Sequence, residues 1–305
     1  MKIQIVILSR DRPEFLKMSI DSVIAQNKSS LDVELIVSDN SESINVANMI
    51  KDNYETGIFK VITRKPSLSS KDHFDIVISE LNEKYAVLFH DDDVMHPDYV
   101  NVMCSLLENT NQIVSAVGCN ALVFKKYLNK KKGHMHSFRS IKSFDNKRDF
   151  FSQYLFGNGG KAPFPGYLYD TKFLKKISIT ELPCGKHGDV TLLGSLLEYG
   201  RILWVPDTLM YLRVHNSNDN NTYNVANRIS LLNYFVSNGL KRDDDLIVLF
   251  RCDYFLKWLL GQKLVNIFSW KNKTVFKFLF FKTLYFMNKY IFWKGIASRI
   301  KKDLL

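Results

Sequence analysis

The chain has 305 residues, of which 46% are apolar and 24% are charged, so it can bury a sizeable core and lacks the composition of a disordered protein. The net charge of +11 is concentrated at one end: residues 241–305 contain 14 Lys or Arg against 5 Asp or Glu, whereas residues 1–240 contain 28 against 26. This near-neutral body argues against a general nucleic-acid binder, and the absence of any run of 18 uncharged apolar residues argues against a spanning helix.

Strands and helices alternate over the first 110 residues. Apolar runs rich in β-branched residues predict strands at 3–8, 33–37, 58–63 and 85–89. Apolar residues at helical spacing predict helices at 13–24, 44–54, 70–82 and 97–108. Repeated strand–helix units of this length predict a parallel sheet with both faces covered.

The second half of the chain is less regular. It predicts a strand at 113–124, a Lys-rich insertion or extended hairpin at 125–148, and a helix at 147–156. Turn clusters follow at 157–160 and 163–166. A helix at 189–199, strands at 201–205 and 209–214, and a polar loop at 216–224 come next, and helices dominate from there to the C-terminus.

Polar clusters stand where three of the predicted strands end. They are Ser9-Arg10-Asp11, Ser38-Asp39-Asn40 and His90-Asp91-Asp92-Asp93. The carboxyl ends of parallel strands form one edge of a sheet, where ligands bind. We therefore expect the three clusters to converge.

The acidic triplet is the strongest candidate for a metal site. Three adjacent carboxylates repel one another, and a divalent cation such as Mn²⁺ or Mg²⁺ relieves that repulsion. On an extended chain Asp91 and Asp93 point to one side and Asp92 to the other, which predicts that Asp93 reaches the metal while Asp91 holds a ribose or a metal-bound water. A solvated acidic turn is the alternative for the triplet taken alone.

These motifs resemble those of family 2 glycosyltransferases, inverting enzymes with the GT-A fold that use nucleotide sugars. The segments that carry the likeness are IVILSRDRPEFLKMSIDSVIAQ, ELIVSDNSES and YAVLFHDDDVMHPDYV, and it extends from residue 3 to about residue 220. It implies an α/β fold with a mostly parallel, Rossmann-like sheet flanked by helices. It also implies a catalytic domain at 1–225, with a nucleotide-sugar half at 1–124 and an acceptor half at 125–225.

The resemblance implies roles in donor binding for the strand-end residues. Asp39 would contact the nucleobase, usually uracil, and the backbone ending at Ser9 would line the base pocket. Asp91 would contact the ribose side and is also a candidate metal ligand, whereas Asp93 would bind the metal and the diphosphate. Further candidates for contacts with the donor are Arg10, Arg12, Lys71 and Asp92, and a solvated turn residue is the alternative for both arginines.

Two later segments complete the predicted site. LPCGKHGDVTLLGSLLEYGRILWVP resembles the family's second acidic motif and implies that Asp189 is the general base, although Gly188 stands where the family often has Glu. Inverting transfer needs one carboxylate to accept the acceptor's proton, and capping of the helix is the alternative role for Asp189. YLRVHNSNDNN resembles the segment that closes over the diphosphate, which implies that Arg213 neutralises phosphate charge and His215 completes the metal shell.

Aromatic residues in the segment PFPGYLYD are assigned to the acceptor side, because flat apolar rings suit sugars. They are Phe164, Tyr167 and Tyr169. Ordinary core packing is the alternative for each of them.

The C-terminal region has a different chemistry. Residues 255–302 contain no Asp or Glu and interleave Lys and Arg with Trp, Phe and Tyr, a pattern typical of helices at an anionic membrane interface. We expect residues 226–305 to be a helical, basic region that associates with a membrane, with packing on the catalytic domain or homo-oligomerisation as alternatives. Four widely spaced cysteines and the lack of a signal-peptide pattern predict a location in the cytoplasm, peripheral on the inner face of the cytoplasmic membrane.

The sequence thus predicts an inverting glycosyltransferase. The donor would be a nucleotide diphosphate sugar, namely a UDP-sugar. The acceptor would be a hydroxyl of a glycan or of a lipid-linked glycan in surface polysaccharide synthesis. A non-catalytic nucleotide or membrane-surface binding protein and a nucleotidyltransferase are the alternatives. A nucleotidyltransferase should carry a Gly-rich loop after its first strand, whereas SRDRPEF has no glycine, and a non-catalytic binder need not retain Asp189.

Overall fold

The structure is a computed structural model that describes residues 2–27, 31–125, 131–156, 160–183, 185–215, 225–241 and 247. Most of the predicted basic region at 226–305 therefore lies outside the described residues, as does the polar loop at 216–224. The division into domains stays a prediction.

The first half follows the predicted order of elements. These are β1 (Lys2–Ser9), α1 (Pro13–Ile24), β2 (Asp32–Asp39), α2 (Asn45–Asn53), β3 (Lys60–Thr63), α3 (Ser70–Glu80), β4 (Tyr85–His90) and α4 (Tyr99–Glu108). The four strands lie in the order β3-β2-β1-β4 and are all parallel. A two-residue strand that the sequence did not predict, β5 (Val94–Met95), precedes α4.

The second half contains more strands than the sequence predicted. Its elements are β6 (Val114–Lys125), β7 (Lys131–His134), β8 (Lys142–Phe144), α5 (Lys147–Phe156), β9 (Tyr167–Asp170), α6 (Thr171–Leu174), α7 (Gly188–Leu196), β10 (Arg201–Val214) and α8 (Val225–Ser237). The two strands predicted at 201–205 and 209–214 form the single strand β10, whose register against β6 shifts between Trp204 and Thr208. The hairpin alternative for 125–148 is confirmed, because β7 pairs antiparallel with β6.

Strand β9 joins the two halves of the sheet. It pairs antiparallel with β4 on one side and with β6 on the other, so β4 and β6 run in the same direction. Strand β10 is parallel to β6. The carboxyl ends of β1, β2, β4, β6 and β10 consequently share one edge, and the predicted mostly parallel α/β sheet flanked by helices is confirmed.

Hydrophobic cores cover both faces of the sheet, as continuous apolar strands predict. On one face Ile5 and Ile7 of β1 pack with residues of α1 and α4. On the other face Val6 and Leu8 of β1 belong to the core that contains residues of α3, α5, α7 and α8. The thiols of Cys104 and Cys119 are buried and free. None of the helices in the described part of the chain combines the length and apolarity needed to cross a membrane.

Two aromatic residues that the sequence assigned to the acceptor side lie in the core instead. Tyr167 and Tyr169 are 0% exposed, and the Trp204 Nε1–H donates to the Tyr167 hydroxyl over 2.6 Å. A side chain at Gly118 would meet the Tyr167 ring at 2.7 Å, so glycine is needed for this ring to lie flat on β6. Core packing, the alternative for both tyrosines, is correct because β9 is an interior strand.

The buried Tyr167–Trp204 hydrogen bond should be measurable as stability. We expect Tyr167→Phe to lower the free energy of unfolding by about 1–3 kcal/mol, because the Trp204 N–H would remain buried without a partner. Urea denaturation of the full chain measures this change. Tyr199→Phe, on a half-buried ring that stacks on Phe173, is the control and should change stability by less than about 0.5 kcal/mol. Equal effects of the two substitutions would contradict the prediction.

Candidate active site

The chain turns sharply where β4 ends. The Asp93 N–H donates to the His90 carbonyl oxygen at 3.4 Å, so residues 90–93 are not extended. The alternation expected for Asp91 and Asp93 on a strand therefore does not apply. Instead His90, Asp92 and Asp93 each bring one possible metal-ligand atom to within 4.8 Å of the other two. The predicted ligand Asp93 belongs to this group, which we call the metal group, whereas the predicted ligand Asp91 does not.

Asp91 ties the turn after β1 to the end of β4. Its Oδ2 accepts the backbone N–H of Arg10 over 2.8 Å, and its Oδ1 lies 3.3 Å from the guanidinium of Arg12. The side chain is 1% exposed, and burial raises its pKa to about 7 despite the charge of Arg12. The predicted donor-binding residue Arg10 thus contributes its backbone here, while its side chain pairs with Glu42 at 2.9 Å.

Asp92 is compensated by two cationic or hydrogen-bonding groups. Its Oδ2 accepts from Arg12 Nη1 at 2.5 Å and lies 2.9 Å from His215 Nε2. Burial opposes its ionisation, but His90, Arg12 and the hydrogen bond to His215 together lower its pKa. His215, predicted as a metal ligand, therefore reaches the metal group through the Asp92 carboxylate.

Asp93 is less well compensated than Asp92. It is 1% exposed, and burial, with the charge of Asp92 next, raises its pKa well above the ordinary value. Its Oδ1 accepts the backbone N–H of Arg213 over 2.9 Å, but its buried Oδ2 has no hydrogen-bond partner among the described residues. An unpartnered buried carboxylate oxygen beside a second carboxylate and an imidazole is a donor set that suits Mn²⁺ or Mg²⁺.

Arg213 supports the acidic turn. Its guanidinium lies between two aromatic rings, 4.5 Å from the centroid of Phe15 and 4.6 Å from that of Phe124. Its Nε donates to the carbonyl oxygen of Asp92 over 2.8 Å, and the residue is 2% exposed. The positive charge of Arg213, which was predicted to neutralise phosphate, therefore lies against the acidic triplet Asp91-Asp92-Asp93.

The ends of β1 and β2 form the neighbouring part of the edge. Ser9 pairs in register with Asp39, and both are buried. The Asp39 Oδ1 accepts the Ser41 N–H over 3.0 Å. Asp11 adopts a left-handed backbone with φ of 52°, and its carboxylate accepts the N–H of Ser43 at 3.1 Å, which locks the turn after β1 to the loop after β2.

Lys71 lies at the start of α3. Its Nζ donates to the carbonyl oxygen of Leu182 over 2.7 Å. Asp75, one turn further along α3, accepts the hydroxyl of Ser178 at 2.8 Å and the N–H of Thr180 at 2.9 Å. Helix α3 thus holds segment 178–182, which leads to Asp189, and this is the contact that the structure gives to the predicted donor ligand Lys71.

Asp189 lies in the first turn of α7, where His187 and not Asp189 occupies the N-cap position. The half-buried Asp189 carboxylate accepts a hydrogen bond of 2.6 Å from the hydroxyl of Tyr154 on α5. The helix-capping alternative is wrong because His187 takes the N-cap position, and the role of Asp189 as the general base stays a prediction.

Comparison with known proteins decides the family. The profile described as glycosyltransferase-like family 2 matches residues 2–227, nearly three quarters of the chain. The chain belongs to this family. It is a glycosyltransferase, as the resemblance of its motifs implied, while a search of curated proteins gave no significant match.

Solved glycosyltransferase structures share the fold. The S. aureus protein TarS, residues 1–349 in complex with UDP-GlcNAc, gives a TM-score of 0.61 at 11% identity, with 87% of this chain and 77% of that chain covered. The same TarS fragment in complex with UDP gives a TM-score of 0.58 at 12% identity, with the same coverage. At these identities the likeness concerns the fold alone, and the predicted GT-A fold is confirmed.

Two residues of the site were not assigned by the sequence analysis. His90 was read as part of a polar cluster and not as a ligand, because its contribution depends on the turn that follows it. Tyr154 is 35 positions from Asp189, and only the packing of α5 on α7 brings the two together. A histidine directly before an acidic triplet was the one available signal.

The metal group should bind Mn²⁺ without substrate. We expect Mn²⁺ to raise the thermal unfolding midpoint of the full chain, since a ligand at 100 times its Kd stabilises by about 2.7 kcal/mol. Asp93→Asn should abolish most of this rise, because the amide removes the charge of the unpartnered Oδ2. Asp52→Asn, on the exposed side of α2, is the matched control and should respond to Mn²⁺ like the wild type. A full response of Asp93→Asn would contradict the assignment.

Proposed function

We propose that the protein is an inverting glycosyltransferase that moves a sugar from a UDP-sugar to a hydroxyl of a glycan or lipid-linked acceptor in surface polysaccharide synthesis. The observation that carries the proposal is the presence of two separate acidic centres in a chain of the glycosyltransferase family. One is the metal group at the end of β4, and the other is Asp189 at the start of α7. A donor site and a proton acceptor are the two parts that this reaction requires.

The donor side is built around the metal group. His90, Asp92 and Asp93 would hold a Mn²⁺ or Mg²⁺ ion, which supplies positive charge to the leaving diphosphate when bound. Asp39, buried at the end of β2, would accept a hydrogen bond from the nucleobase, and Ser9 and Arg10 would lie beside it. The presence of UDP-GlcNAc and UDP in the TarS structures supports a uridine nucleotide as the donor.

Asp189 would act as the general base. In a single-displacement reaction the acceptor oxygen bonds to the anomeric carbon while the bond from that carbon to the diphosphate oxygen breaks, and the hydroxyl proton passes to a carboxylate. The sugar is inverted because the attack comes from the face opposite the leaving group. Asp189 is suited to this role since it is not a member of the metal group, so its charge is not used to hold a cation.

Replacement of the base separates catalysis from binding. We expect Asp189→Asn to lower kcat by about 10²–10⁴-fold, while the affinity for UDP in the presence of Mn²⁺ stays within about twofold, because the donor side is unchanged. A transfer assay with UDP-sugars, together with calorimetric titration of UDP, measures both quantities. The control is Glu181→Gln, an exposed carboxylate on the segment that precedes α7. Wild-type turnover by Asp189→Asn would refute the base assignment, and UDP binding without any transfer by the wild type would favour the non-catalytic binding protein.

The positive charge of the C-terminal region supports a proposal for the location of the enzyme in the cell. Residues 241–305 carry 14 basic against 5 acidic residues, and each Lys or Arg near an anionic bilayer contributes about 1 kcal/mol of attraction. Trp, Phe and Tyr between the lysines would lie at the headgroup boundary. We therefore place the enzyme at the inner face of the cytoplasmic membrane, where lipid-linked acceptors are available.

Neutralisation of C-terminal lysines tests this location. We expect the full chain to bind vesicles that contain phosphatidylglycerol, and the loss of four charges to weaken that binding by at least about 100-fold. The substitutions are Lys→Gln at Lys271, Lys273, Lys277 and Lys282. The control removes the same charge from the exposed catalytic surface, at Lys51, Lys60, Lys125 and Lys175. Equal losses in a vesicle co-sedimentation assay would exclude a specific membrane role for the C-terminal region.

A further inference from the structure

We propose that Tyr154 is the positioning residue for the Asp189 carboxylate, an inference that rests on the proposed function. The Tyr154 hydroxyl donates to Asp189 Oδ2 over 2.6 Å, a short distance typical of a bond to a charged acceptor. The two residues lie on different helices, α5 and α7. The hydrogen bond therefore fixes the orientation of the carboxylate relative to a second element of the fold.

Tyr154 is itself held in place by its surroundings. Its side chain is 5% exposed, and its ring centroid lies 5.4 Å from that of Phe150 and 6.2 Å from that of Trp204. The ammonium of Lys161 lies over the ring, 4.1 Å from its centroid. These contacts restrict rotation of the ring, so the hydroxyl presents a fixed donor to Asp189.

Close packing of the two helices fixes the distance between donor and acceptor. A side chain on Gly194 of α7 would meet the Phe151 ring of α5 at 2.7 Å. The glycine thus allows α5 to approach α7 more closely than any other residue would. Gly188 lies directly before Asp189 and has no side chain that could contact the Asp189 carboxylate. Tyr154 supplies such a contact from the neighbouring helix α5.

The chemistry of the pair suits a base. Burial, with the charge of Asp189 next, raises the pKa of Tyr154 well above its ordinary value, so the tyrosine stays protonated and remains a donor. A hydrogen bond to a carboxylate favours its charged form, which is the form that accepts a proton from the acceptor.

Tyr154→Phe tests the inference, because it keeps the ring and its packing and removes only the hydroxyl. The full chain is assayed for kcat and KM with UDP-sugar and acceptor from pH 5 to pH 9, with saturating Mn²⁺. We expect kcat to fall by about 10-fold and the acid side of the rate profile to move to higher pH, since the charged carboxylate loses its donor. The KM for the UDP-sugar should not change.

A second tyrosine on the same core provides the matched control. The Tyr234 hydroxyl of α8 donates to the Thr191 carbonyl oxygen of α7 over 3.1 Å, so Tyr234→Phe also removes a buried hydroxyl that hydrogen-bonds to α7. Its acid-side midpoint should equal that of the wild type, even if its thermal midpoint falls. A wild-type profile for Tyr154→Phe, or the same displacement in both variants, would overturn the positioning role.

Asp189→Asn distinguishes failure of this inference from failure of the proposed function. If Asp189→Asn is inactive and Tyr154→Phe has a wild-type profile, Asp189 remains the base and the role of Tyr154 is refuted. If Asp189→Asn turns over like the wild type, the base assignment is refuted and the inference with it. An inactive Asp189→Asn with a displaced profile for Tyr154→Phe supports both.

Discussion

The burial of three carboxylates at the end of one strand is the constraint on which the site depends. Asp91 and Asp93 are almost fully enclosed, where an uncompensated charge is strongly disfavoured. Compensation comes from two distant parts of the chain, the turn after β1 through Arg12 and the end of β10 through Arg213. Each of these contacts also joins two strand ends, so the edge is assembled by the same interactions that stabilise its charge.

The division of labour among the three aspartates follows from their unequal compensation. Asp92 has Arg12 and His215 on one oxygen, and its pKa is lowered, whereas that of Asp93 is raised by burial. Asp92, whose charge is the best compensated, and Asp93, whose charge is the least compensated, thus lie next to each other and close to His90. A cation bound there would complete a charge balance that the protein leaves unfinished, while Asp91 organises the adjoining loop.

Much of the donor half could be predicted from sequence, because long apolar runs followed by polar residues define parallel strands and their ends. Strand β9 could not, since its four residues follow a Pro-Gly turn and show no alternation. The turn at 90–93 was missed because strand periodicity was extended past the last residue of β4. Contacts such as Tyr154 with Asp189, or Arg213 between Phe15 and Phe124, depend on how elements pack, which no local pattern encodes.

Strand β9 has a consequence for the mechanics of the molecule. Its four residues, Tyr167–Asp170, form the ladder that connects β4, at whose end the metal group lies, with β6, the partner of β10. A tensile load between these two parts of the sheet would therefore fall on this short row of backbone hydrogen bonds and on the two-residue pairing of β5 with β10. Strand β9 is thus the narrowest part of the sheet between β4 and β6.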